Sequence, residues 1–247
     1  MYKPTLWFVL DTETSGDQVR KGVNMVHDLA WIAIDRNGRE YSRGSYFFPE
    51  VFSDKKKLDR KLKLYEKQID DERVQFANWD TVRTKFNKEL AWYRAAGHKV
   101  IVAAYNASFD YERLDATEFM LHPDKYKIDH GLLKGVRDES LASYFTPEVD
   151  WMDIWMQWAA SCPRLYTAPK RTKTHGWFST AAEWVGKFEI GEDYKHRHFA
   201  IDDCEGECEI LLRSLARKQK LMINTIFDNN PAEIAHKRVV RADMVAA

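Results

Sequence analysis

The chain has 247 residues and a mass of 29.0 kDa, and 45% of its residues are apolar, enough to build one α/β domain around a substantial core. Lysine plus arginine and aspartate plus glutamate balance at 38 each, which excludes a whole-molecule field acting on a polyanion; contact with nucleic acid must come from local basic surface. Three cysteines without Cys-x-x-Cys spacing, Cys162, Cys204 and Cys208, argue against a disulfide framework and a thiolate zinc site. No signal-like N-terminus is present and no apolar run approaches the ~20 residues that span a bilayer, so the expectation is a soluble, cytoplasmic protein without a membrane partner.

The first predicted element is a strand over 6–12. Its apolar run, Leu6 to Leu10, reads as buried on both faces, and the period of two places Asp11 and Glu13 on the same side at its end. Two acids placed there can hold a divalent metal. Strands over 27–35 and 39–48 follow, joined through Asn37-Gly38, a hairpin signal that predicts antiparallel pairing and therefore a mixed sheet.

The next stretch, KKKLDRKLKLYEKQIDDER, puts Leu58, Leu62, Tyr65 and Ile69 at helical spacing with charges elsewhere. It predicts an amphipathic helix laid against the domain, its charged side read as a solvated face in preference to a nucleic-acid or subunit contact. A helix over 81–95 and a strand over 100–105 come next, and the chain passes through Asn106 to Asp110 at the start of a helix over 109–121. After a loop-rich stretch, Trp151, Trp155 and Trp158 recur at i, i+4 and i+7, which predicts a core-facing helix over 152–161.

The basic loop that follows carries Arg164, Lys170, Arg171, Lys173 and His175 between prolines and a glycine, and reads equally as a phosphate-backbone contact or as plain exposed loop. Helices are predicted over 178–187 and 203–220, the second burying Cys204, Cys208, Leu211 and Leu215 on one face. His198 precedes Asp203 by five residues. The final stretch, AHKRVVRADMVAA, fits a last helix, a tail or a partner-binding segment.

Taken in order, these acids resemble the DEDDh branch of the 3′-5′ exonucleases, the DnaQ-like members of the ribonuclease H-like superfamily. Asp11-Thr12-Glu13 matches the Asp-x-Glu motif, Asn106 and Asp110 match Asn-x-x-x-Asp, and His198, Ala200 and Asp203 match His-x-Ala-x-x-Asp. Spacing with Ala200 between selects this pair over the neighbouring His196 and Asp202. VHDLAWIAIDRNG looks like the family's second strand and FSTAAEWVGKFEI like the helix before the third motif, so the resemblance spans about residues 5–217. It implies a ribonuclease H-like mixed five-stranded sheet flanked by helices, with a nuclease domain over 1–220 and a C-terminal extension over 221–247. Two insertions depart from the pattern, a charged helical one at about 52–80 and an enlarged basic loop at about 163–177, and Tyr105 stands where many relatives have histidine. These departures bear on substrate choice more than on chemistry.

The resemblance further implies two divalent cations, Mg²⁺ or Mn²⁺, which suit an all-carboxylate donor set. Asp11, Glu13 and Asp203 would hold the ion that activates water, Asp11 would bridge to the second, and Asp110 would complete the site directly or through water. His198 would be the general base. Thr12 and Thr14 would neighbour the terminal nucleotide, Asn106 would orient the second motif more than touch substrate, and Lys170, Arg171 and Lys173 would meet phosphates. The expected reaction releases nucleoside 5′-monophosphates from a free 3′ end, on single-stranded DNA in the first instance. RNA trimming and a non-catalytic nucleic-acid-binding role are the alternatives, the latter opposed by retention of four mutually repelling acids. A polymerase partner or a homodimer is left open.

Overall fold

The structure, a computed structural model, describes residues 3–15, 24–123, 145–146, 149–162, 181–218 and 220–224. Its centre is β1 (Leu6–Thr14), whose apolar run faces both ways as its composition requires: Trp7 and Val9 enter one core, and Leu6, Phe8 and Leu10 enter the other. β1 pairs antiparallel with β2 (Val26–Asp35), and β2 pairs antiparallel with β3 (Glu40–Phe47). Between β2 and β3 the Asp35 carboxylate accepts from the Asn37 and Arg39 amides, and Gly38 supplies the left-handed residue at φ 78° that closes the loop. On its other side β1 pairs parallel with β5 (Val100–Ala104), and β5 pairs parallel with β6 (Asp150–Asp153). A two-residue strand, β4 (Gln75–Phe76), joins β3 in parallel at the far edge.

The sheet therefore has six strands in the order β4-β3-β2-β1-β5-β6, not the five expected. β4 is too short to leave a periodic signal. β6 was hidden because its four residues run directly into helix α4 (Ile154–Ser161), so that the tryptophan spacing reads as one helix. Trp151 belongs to the strand and packs in one core, whereas Trp155 and Trp158 lie on the helix and pack in the other.

Helices cover both faces. α2 (Trp79–Ala95) and α3 (Ala107–Leu121) bury Trp79, Phe86, Leu90 and Leu114 on one side. α1 (Lys55–Asp70), α4, α5 (Ala182–Glu189) and α6 (Ala200–Ala216) lie on the other. α6 begins three residues earlier and ends four residues earlier than the expected 203–220, and α5 is displaced toward the C-terminus from 178–187, whose first residues lie outside the described ones. Cys204 and Cys208 are buried free thiols as expected, and Cys204 Sγ lies against the carbonyls of Val9 and Ala30, seating α6 across β1 and β2. Past α6, Ile223 bridges to Met152, and the Asn224 side chain bonds Trp151 and Asp150, so this stretch returns to β6. Among the described residues, no helix is long and apolar enough to cross a membrane.

Gly44 faces Trp31 across the β2–β3 pair, and a Cβ there would sit 2.5 Å from the indole. Trp31 is locked between Tyr46 and Phe86 and has no room to yield. Gly44→Ala is therefore expected to destabilise the protein by ~1–3 kcal/mol in urea denaturation, whereas a change below ~0.5 kcal/mol would contradict this packing.

Candidate active site

Three carboxylates converge at the C-terminal end of β1. Asp11 and Glu13 project from the strand toward α6, and Asp203 comes from the first turn of that helix; one oxygen from each lies within 4.8 Å of the others. Asp203 is 1% exposed and is fixed by the preceding loop, for its two oxygens accept the amides of Arg197 (3.0 Å) and His198 (2.9 Å). That clamp holds His198 at φ 59°, a left-handed conformation unfavourable for a residue with a β-carbon. The imidazole stands at the mouth of the cluster, 76% exposed, with Nδ1 3.8 Å from Glu13 Oε1. His196 sits deeper, 3.3 Å from His198 and 3.5 Å from the Asp203 carboxylate.

Asp110 arrives from the opposite face of the sheet. Asn106 turns the chain sharply after β5 by adopting φ 60°, which asparagine tolerates better than most residues, and α3 starts at once with Asp110 in its first turn. The Asp110 carboxylate is 2% exposed and accepts a 2.7 Å bond from Thr12 Oγ1. It lies outside the compact trio, yet its charge reaches Asp11.

Burial raises every one of these carboxylic acids, and neighbouring carboxylates add to it at Asp11, Glu13 and Asp110. Asp11 is pushed well above the ordinary range by burial first and then by Glu207, Asp110, Asp203 and Glu13. Burial, then Asp203, lifts Glu13 to about 7 against the pull of Lys61 on α1. Burial lifts Asp110 to about 8 despite the Thr12 bond, and lifts Asp203 despite the nearby histidines and amides.

Several participants carry no motif. Glu207, one turn after Asp203 on α6, is buried beneath the cluster and accepts from the Tyr105 amide at 3.3 Å; helical spacing from Asp203 was the available signal. Asp153 caps α4 at Met156 and bonds the Ala107 amide, tying the starts of α3 and α4 together. Asp28 is the third residue of β2 and accepts from the Ala200 amide at 3.0 Å; an acid just before the apolar run Leu29–Ile34 is its only mark in the sequence.

Of the residues expected near substrate, Thr12 is buried and occupied with Asp110, Thr14 is half-buried, and Asn106 is exposed at its turn. Lys170, Arg171 and Lys173, with the rest of the basic loop, lie outside the described residues. Asp202 points away from the trio and pairs with Arg73 at 2.6 Å.

A divalent cation suits this donor set. Its oxygens are hard ligands, and Asp11 Oδ2 is shut off from solvent without accepting a hydrogen bond from the protein, so a lone pair is left for an ion. Among the described residues, a second acidic grouping far from β1, Asp80, Glu118 and His122, is a poor cation site because Arg83 and the Trp79 indole already occupy Glu118.

No family model matches the sequence, and no curated protein matches it. Solved structures do. A full-length 3′-exonuclease aligns with a TM-score of 0.56 at 12% identity over 91% of this chain, which spans 64% of that protein's length. A 3′-exonuclease whose structure concerns 3′-end recognition of a histone mRNA stem-loop aligns with a TM-score of 0.56 at 11% identity, covering 90% of this chain and 68% of that one. The nuclease domain of 3′hExo, a DEDDh family member bound to rAMP, aligns with a TM-score of 0.54 at 12% identity, covering 90% of this chain and 96% of that domain. The chain has the ribonuclease H-like fold that these 3′-exonucleases share.

Acids whose pKa rises on folding bind protons more tightly in the native state, so their stabilisation is complete at low pH and fades as pH climbs to the folded value. For Asp110 that window runs from 3.8 to about 8. The metal-free protein is thus expected to lose thermal stability from about pH 4 to 8, and Asp110→Asn to recover at least ~1 kcal/mol at pH 8, less than one pKa unit is worth. Metal-free stability that rises across this window would contradict the electrostatic description.

Proposed function

We propose that the chain is a metal-dependent 3′-5′ exonuclease of the DEDDh type, with residues 1–220 as its nuclease domain. The observation that carries this reading is the meeting of Asp11, Glu13 and Asp203 at one point, with Asp110 behind them and an exposed histidine in front. Asp11, Glu13, Asp110 and Asp203 would hold two Mg²⁺ or Mn²⁺ ions, which when bound supply charge compensation to the phosphate oxygens and acidify water.

The chain's own groups perform the remaining tasks. His198, at the mouth of the acidic cluster and in reach of solvent, accepts the proton of the attacking water and passes it to bulk. Thr12 keeps Asp110 oriented, and the amides of residues 197 and 198 keep Asp203 oriented. Thr14 lines the approach of the terminal nucleotide, Asn106 orients the second motif, and Lys170, Arg171 and Lys173 meet backbone phosphates. The product is a nucleoside 5′-monophosphate.

Single-stranded DNA is the first substrate to test. RNA stands beside it because two proteins of this fold were solved with an mRNA stem-loop as subject or with rAMP bound. Discrimination would rest on contacts to the 2′-hydroxyl.

Incubation of 5′-labelled single-stranded DNA and RNA with Mg²⁺ or Mn²⁺ is expected to give a ladder shortened from the 3′ end, and Asp11→Ala to abolish it. His198→Ala is expected to slow cleavage by ~10²–10⁴-fold while metal binding measured by calorimetry persists. Wild type and Asp11→Ala giving the same ladder, or neither cleaving either polymer, would refute the reading; full-rate cleavage by His198→Ala would remove His198 from the mechanism.

A further inference from the structure

Helix α1, the charged insertion, lies against the loop that presents His198. The Tyr65 ring meets Phe199 edge-on at 4.9 Å, and its hydroxyl donates to Asp28 Oδ2 at 2.8 Å. That same oxygen accepts the Ala200 amide at 3.0 Å, two residues after His198. One turn along α1, Gln68 reaches Asp202 at 3.3 Å, and beyond the helix Arg73 pairs with Asp202 and Glu205. Tyr65 and Asp28 are both buried.

The left-handed backbone of His198 is unfavourable for a residue with a β-carbon and persists only where its neighbours hold it. Upstream it is held by Asp203, whose oxygens also belong to the acidic trio and would be divided between the loop and any cation. Downstream it is held by Asp28, which has no place in the trio. Asp28 Oδ1 makes no hydrogen bond, so the orientation of this carboxylate depends on the two bonds to Oδ2, from Ala200 and from Tyr65.

We propose that Tyr65 is a positioning residue for the exonuclease reaction: through Asp28 it fixes the Ala200 amide and with it the strained turn that carries His198. This rests on the function proposed above, and it makes the inserted helix a part of the active site. The helix face bearing Tyr65 and Gln68 serves the loop, while the remaining charged side is solvated.

Tyr65→Phe in the full-length protein removes only the hydroxyl. Gln68→Ala, which cuts the contact of α1 with Asp202 and leaves Asp28 untouched, is the control for loosening of the helix. Two readouts apply. In the metal-free protein, hydrogen exchange at the Ala200 amide is expected to accelerate about 10-fold in Tyr65→Phe, with a shift of the His198 ring resonances, and to stay at the wild-type value in Gln68→Ala. In turnover, kcat is expected to fall about 10-fold with KM within about twofold, and the substitution to add no further loss in a His198→Ala background.

Unchanged Ala200 exchange, equal acceleration in both variants, or a rate loss that adds to that of His198→Ala would overturn the proposal. Asp28→Asn approaches the same relay from its other end and is expected to accelerate Ala200 exchange; should Tyr65→Phe not fold, its result decides. If the wild type cleaves no polymer, the exonuclease reading fails on its own, and the exchange measurement alone decides the role of Tyr65.

Discussion

Like charges buried together are the constraint around which this molecule is arranged. Asp11, Glu13, Asp110, Asp203 and Glu207 share the C-terminal end of one strand, where water is scarce and each raises the proton affinity of its neighbours. A cluster of this kind costs folding free energy at neutral pH, and packing alone gives no reason to keep it. Cations would offset that cost and convert the strain into a binding site.

Holding such a cluster requires rigid supports on more than one side, and the topology supplies them. β1 is the central scaffold, with an antiparallel partner on one side and a parallel one on the other, and its last residues carry two of the acids. α6 delivers Asp203 across one face of the sheet and α3 delivers Asp110 across the other, each in a first helical turn. Both helices follow a left-handed residue, Asn106 or His198, so each acid is reached by an abrupt change of chain direction that hydrogen bonds must maintain. Thr12, Asp28 and Asp153 provide those bonds from outside the compact trio. Glu207 is the exception: among the described residues it adds repulsion and accepts the Tyr105 amide, and nothing in the structure explains its place beneath Asp11.

Periodicity made much of this legible. The apolar run Leu6–Leu10 marks a strand buried on both faces that leads into two of the acids, Asn37-Gly38 marks the hairpin, and the positions of Leu58, Leu62, Tyr65 and Ile69 mark the face of α1 that packs. Strands of two and four residues leave no period to read, so β4 and β6 carry no signal in the sequence and the spacing of Trp151 from Trp155 reads as helical. Positive φ at His198 is a consequence of tertiary bonds and has no local signature. Glu207 and Asp28 were hidden for a related reason: an acid on the buried side of a helix or strand looks, in a chain this rich in charge, like one on its solvent side. The Tyr65 position read correctly as core, but the destination of its hydroxyl belongs to the three-dimensional arrangement alone.

Manganese titration of the full-length protein, followed by electron paramagnetic resonance, tests the central claim most directly, because it reads ion number and ion separation without requiring turnover. Two Mn²⁺ per chain with the exchange-coupled spectrum of ions about 3.5–4 Å apart, lost in Asp203→Asn, is the expected result. A spectrum of isolated Mn²⁺ unaffected by that substitution, or no binding at all, would show that these carboxylates converge for some other reason.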